Sequence, residues 1–164
     1  MGEPLQAEQL PAGPKTHRMR LHASGQFVVA KPAAQAIDLF TPEGERAWAP
    51  DWDPTYPAGR PSEDPGTVFV TNSGGIETTW VVLEIDRQRA TAAYVRTTPG
   101  RHAGIVRVAC VDATEGHCTV TVIYDMKLLG DDASALDAYA ERDFERMMQE
   151  WSSAIAAIHG TPPT

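Results

Sequence analysis

Between Gly66 and Gly130 the chain alternates between apolar and polar residues, run after run, with only short breaks. The runs are GTVFVTN, IETTWVVLEID, ATAAYVRTTP, HAGIVRVACVDA and CTVTVIYDMKLLG. They are separated by Asn72-Ser73-Gly74-Gly75, Asp86-Arg87-Gln88, Pro99-Gly100-Arg101 and Thr114-Glu115-Gly116, the residue types that chain reversals need. Connections this short join antiparallel neighbours, so five strands form one meander. A sheet of that kind has an apolar face that something else in the chain must cover.

The faces follow from side-chain parity. In CTVTVIYDMK, Thr119, Thr121, Asp125 and Lys127 alternate with Val120, Val122, Tyr124 and Met126, and the second set points inward. An odd hairpin loop puts Val106, Val108 and Cys110 on the same inner face, and the preceding strand adds Ala92, Tyr94 and Arg96. The rule breaks in IETTWVVLEID, where Val81, Val82 and Leu83 are consecutive, so the direction of Trp80 is left open.

The cover comes from the end of the chain. Leu136, Ala140, Phe144, Met147, Trp151, Ile155 and Ile158 recur at helical spacing, with acidic and basic residues on the opposite side. Ser134 and Asp137 read as the start of this helix, which is expected to run unbroken from 134 to His159-Gly160. Ahead of the meander, HRMRLHASGQFVVA reads as a first strand beginning near His17. Met19, Leu21 and Ala23 share one of its faces, and Ser24-Gly25 allows a bulge. KPAAQAIDLF and EGERAWA read as two short helices stopped by Pro42 and Pro50. The expected fold class is therefore α+β: an antiparallel sheet of six to seven strands, two short helices after the first strand, and a long C-terminal helix on the sheet.

Composition narrows the partners. A net charge of −8 argues against nucleic acid, which demands a basic surface. No apolar run approaches the roughly 20 residues of a membrane span, so no insertion is expected. MGEPLQAEQLPAGPK has no apolar stretch of the signal-peptide kind, which points to a cytoplasmic protein; with Gln6 at the sixth position, Gly2 is no myristoylation signal. Residues 1–15 read as a leader, 16–160 as one domain and 161–164 as a tail. Cys110 and Cys118 are too few for a disulfide framework and are expected as reduced thiols. His17, His22, His102, His117 and His159 show no ligand spacing, so neither metal nor other cofactor is expected. Asp51 and Asp53 read as turn residues, and no serine has a nucleophile-elbow context.

The order of elements resembles the helix-grip fold of the START-like superfamily, also called SRPBCC. At the level of sequence, FTPEGERAWAPDWDPTYP, TTWVVLEID, AAYVRTTPG and MMQEWSSAI resemble bacterial members of the polyketide cyclase/dehydrase type, over roughly residues 17–159. The resemblance implies a cavity between curved sheet and helix, and it carries no universal catalytic motif. Phe144, Met147, Met148 and Trp151 are the candidate helix wall, and Tyr94, Val106, Val108 and Tyr124 the candidate sheet wall. Trp80 is a further candidate ligand contact.

Tyr94, Arg96, His102 and Tyr124 are the candidate polar groups. Arg96 either anchors a ligand oxygen or snorkels to solvent from the strand end. His102, beside a turn, either lines the cavity mouth or is simply solvated. The stretch WAPDWDPTYPAG combines Trp52 and Tyr56 with Pro50, Pro54 and Pro57. It is a stiff loop that either rims the cavity, with Trp52 touching ligand, or merely covers the core.

Three functions fit this reading. The first is binding of a small hydrophobic, lipid- or polyketide-like molecule. The alternative is a cyclase or dehydratase using the polar pocket residues, and the third is an interaction protein with a vestigial cavity. The residues do not decide between monomer and dimer.

Overall fold

The computed structural model describes residues 19–160, so the leader and tail boundaries and the strand start near His17 lie outside the described residues. The sheet contains β1 (Arg20–Val29), β2 (Val68–Ser73), β3 (Ile76–Asp86), β4 (Thr91–Thr98), β5 (His102–Asp112) and β6 (Cys118–Leu128). Its order is β1-β6-β5-β4-β3-β2, and every neighbouring pair is antiparallel. The meander is joined by the expected turns, and β1 closes onto its last strand.

Helix α1 (Ala33–Ala36) passes directly into a 3-10 turn, Ile37–Phe40, and a second 3-10 turn spans Gly44–Ala47. These are the two short helices after the first strand. Asp112 fixes the entry to α1, its carboxylate accepting from the Ala33 N–H at 2.7 Å. Trp48, just after the second turn, is buried and donates from Nε1 to the Leu39 carbonyl at 2.7 Å.

The inner face is as parity places it: Val106, Val108, Cys110, Val120, Val122, Tyr124 and Met126 are all buried. In β3 the register shifts between Val82 and Glu84, which is why strict alternation fails there. The shift leaves Leu83 exposed and turns Trp80 inward, 7% exposed. Cys110 and Cys118 are buried free thiols.

Several expectations need correction. The Ser24-Gly25 bulge is absent, since β1 stays in register with β6 from Arg20–Lys127 to Val29–Cys118. Gly25 is there because the C-terminal helix passes over it: a Cβ would lie 2.6 Å from Met148 Cγ. Met19 is 64% exposed, one residue before the pairing begins.

The C-terminal helix is not continuous either. A 3-10 segment, Ala133–Tyr139, is capped by Asp132 rather than by Ser134. The backbone then turns extended at Ala140 before α2 (Glu141–His159) begins. The break lets Leu136 and Tyr139 plug one end of the sheet while α2 crosses at its own angle. Along α2 the buried stripe is Phe144, Met148 and Ile155; Met147 is only half-buried and Ile158 is 48% exposed.

Gly104 on β5 has no room for a side chain, because a Cβ would sit 1.9 Å from the Asp125 carbonyl oxygen. Since the obstacle is backbone, Gly104→Ala is expected to cost about 2–4 kcal/mol in urea unfolding. Gly25→Ala meets the flexible end of a methionine and is expected to cost less than about 1.5 kcal/mol. Equal losses at the two positions would contradict this packing.

Candidate functional site

Two concavities flank α2. The larger, about 1050 Å³, is a surface groove between β1 and α2 with Arg20, Glu141, Arg142 and Glu145 on its walls. The smaller, about 240 Å³, lies under the aromatic loop and is walled by the inner face of the sheet. Its aromatic walls and its few converging polar groups make it the candidate binding site.

Four strands supply the floor: Trp80 from β3, Tyr94 and Arg96 from β4, Val106 and Val108 from β5, and Tyr124 from β6. Trp52 from the loop and Trp151 from α2 close the sides. These eight residues named from sequence thus come together around one space. Tyr56 does not line it, packing instead on Phe69 at 6.1 Å. Phe144 and Met148 line the outer groove, and Met147 lines neither concavity.

Arg96 points inward rather than out to solvent. Its guanidinium carbon lies 5.1 Å from the Trp80 ring centre, 4.9 Å from Tyr139 and 5.8 Å from Tyr124. Nη2 donates to the Tyr139 hydroxyl at 2.7 Å, while Nε is buried without a hydrogen-bond partner. Among the described residues no carboxylate forms an ion pair with it. A charge so placed is held by ring faces and one phenol.

Glu45 was missed in the sequence. It lies in the 3-10 turn Gly44–Ala47 and lines the same cavity. Burial of its carboxyl pushes its pKa up to about 8, with the Arg96 charge pulling the other way. At neutral pH it is a protonated acid. Its only sequence signal was its position three residues before Trp48, on the same side of a helical turn. Tyr139, also missed, is set by the break at Ala140.

The remaining polar groups are more structural. Tyr94 donates to the Phe40 carbonyl at 2.7 Å, and burial raises its pKa. Tyr124 packs against Phe144 and Tyr139, at 5.3 and 5.4 Å, and burial raises its pKa too. His102 is neither solvated nor at the cavity mouth: it is 3% exposed, edge-on to Tyr139 at 5.6 Å. Its Nδ1 has no partner, and burial, helped by Arg96 and Arg101, lowers its pKa to about 4.

The loop is pinned at several points. Trp52 donates from Nε1 to the Pro42 carbonyl at 2.8 Å and stands edge-on to Trp80 at 5.6 Å. Arg46 holds Asp53 and donates to the Pro54 carbonyl at 2.6 Å, so Asp53 anchors the loop. Asp51, with φ at +59°, occupies a tight turn.

Solved structures share this fold. Norcoclaurine synthase from Thalictrum flavum, in complex with dopamine and hydroxybenzaldehyde, superposes with a TM-score of 0.61 at 9% identity, over 85% of this chain and 86% of that one. The Zhui aromatase/cyclase from a Streptomyces species gives 0.59 at 17% identity, over 85% and 96%. A protein from Thermobifida fusca gives 0.59 at 18% identity, over 84% and 90%. The fold is the helix-grip fold. No family model matches the sequence, and no curated protein is significantly similar to it. Identities this low fix the helix-grip architecture and leave the chemistry to the residues. Among the described residues no helix is long and apolar enough to cross a membrane, and no cluster of three or more His, Cys, Asp or Glu could hold a metal ion.

His102 gives a test of this packing. The unfolded chain protonates a histidine near pH 6.5, whereas the folded one resists down to about 4. The stability present above pH 6.5 is therefore lost as pH falls through that window, by roughly 3 kcal/mol in full. His102→Gln is expected to remove this part of the acid limb in urea unfolding at about pH 7 and 4.5. An identical limb in the variant would overturn the burial of His102.

Proposed function

We propose that this protein binds a small hydrophobic molecule in the cavity between sheet, loop and α2. The observation that carries the reading is a partly open cavity of about 240 Å³ with aromatic walls and a single partly unpartnered cation. A solid core would have no reason to keep such a cation, because burying an arginine without full hydrogen bonding is costly. The pinned loop adds support, since a pre-formed site loses little freedom when the ligand arrives. Trp52 is then a ligand contact at the rim, and Val106 and Val108 are the apolar floor.

A second reading is favoured by Glu45. A carboxylic acid still protonated at pH 7 beside an arginine is a proton donor next to an oxyanion-stabilising charge. Those are the parts an aldol-type cyclisation or a dehydration uses, and the aromatase/cyclase with the same fold makes that chemistry pertinent.

The neutral two-ring dye prodan is expected to bind the native protein with a dissociation constant in the micromolar range, about −8 kcal/mol. Val108→Phe, which fills the floor, is expected to weaken that binding at least tenfold while the far-ultraviolet circular dichroism is kept. Dye affinity unchanged in this folded variant would place binding elsewhere and remove the reading.

A further inference from the structure

The cavity's polar end is built for one kind of ligand group. A guanidinium has two kinds of surface: flat faces, which stack on rings, and an edge of five N–H donors. In Arg96 the neighbouring rings are Trp80, Tyr124 and Tyr139, all with centres within 5.8 Å of the guanidinium carbon. Nη2 uses one N–H on the Tyr139 hydroxyl, Nε is buried out of reach, and Nη1 has no partner among the described residues. The Nη1 side of the guanidinium is therefore the part left open to a carboxylate, which accepts strong charge-assisted N–H···O bonds there.

Shape adds the second constraint. An apolar cavity of about 150 Å³ is enough for benzene. The 240 Å³ here suits one or two fused rings and is too small for a lipid chain with its headgroup. The Trp52–Trp80 and Trp80–Tyr94 pairs, in direct edge-on contact at 5.6 and 6.5 Å, give the cavity firm aromatic walls against which a flat ring can pack.

We propose that the ligand of this site is an aromatic acid of one or two rings, its carboxylate held on the open Nη1 side of the Arg96 guanidinium. The proposal rests on the ligand-binding reading above and narrows it to a chemical class. It also gives Glu45 a part. Protonated, Glu45 leaves the Arg96 charge uncompensated and the site net positive; ionised, it competes with the ligand for that charge.

The groups around Arg96 are compatible with this. Tyr94 and Tyr124 stay protonated because burial raises both, and His102 stays neutral above about 4. Trp151 from α2 carries no charge. Asp51 also lines the cavity but is exposed, where water and salt screen it.

The test compares 2-naphthoate with the neutral 2-naphthalenemethanol by titration calorimetry. At pH 7 the acid is expected to bind at least tenfold tighter than the alcohol. Arg96→Gln is expected to abolish that preference, the acid's affinity falling at least tenfold further than the alcohol's. A second arm needs no change at Arg96. From pH 7 to 9 the wild-type preference for the acid is expected to shrink as Glu45 ionises, while Glu45→Gln holds it constant. Equal binding of acid and alcohol to the wild type, or a preference that survives in Arg96→Gln, would overturn the proposal. If neither the naphthoate nor the naphthalenemethanol binds but prodan does, the acid class is wrong and the cavity reading stands. If prodan fails as well, both fall.

Discussion

One straight helix is too narrow to cover a sheet of this width. Six strands at about 4.8 Å spacing span roughly 24 Å, while a helix with its side chains is about 10–12 Å across. Helix α2 takes the β1 side, where Gly25 lets Met148 and Phe144 come close. The β2 to β4 side must be covered by something else, and the chain uses the two short helices and the aromatic loop. Trp48 touches Trp151 at 5.4 Å and Phe40 at 5.9 Å, which ties the two covers together. Between them the inner face is left uncovered, and the cavity forms there.

Arg96 lies on the floor of that gap, where the strand alternation has to put it. Cation–ring contacts contribute about 0.5–2 kcal/mol each, and the bond to Tyr139 adds a share. Losing water costs an isolated ion several kcal/mol even after relaxation. The Nε without a partner shows where the balance remains open. Glu45 is the natural counter-ion, but its own burial keeps it protonated. The two groups therefore share a cavity without neutralising each other, which makes the space chemically responsive.

Much of this was legible in the sequence, because alternation is a local signal. Parity alone placed Val106, Val108, Val120, Val122, Tyr124 and Met126, and the turn residues placed every hairpin. What failed depended on the tertiary context. A bulge at Val82 to Glu84 hides a period of two, so Trp80 could not be oriented in advance. The spacing from Leu136 through Phe144 is equally satisfied by a continuous helix and by two segments broken at Ala140; only the shape of the sheet decides between them. Ile158 fits the apolar stripe by spacing, yet the sheet does not reach it. His102 and Glu45 look like solvent-facing residues in a one-dimensional reading. His102 is buried against Tyr139, and Glu45 lines a cavity whose floor comes from the strands of the meander, both distant in sequence.

The loop explains how such a site can stay open without collapsing. A cavity with aromatic walls gains by closing, since every uncovered ring costs contact with its neighbours. Closing this one would require Trp52 to move inward, away from the Pro42 carbonyl, and would pull on the Arg46 links to Asp53 and Pro54. Pro50, Pro54 and Pro57 add to the resistance by fixing their backbone angles. On the opposite wall, Gly104 holds β5 against the Asp125 backbone, so the floor has no slack to rise. Rim and floor are thus held by hydrogen bonds and backbone packing that do not depend on what occupies the space. The rigidity of the frame, more than any single contact, keeps the site available to a ligand.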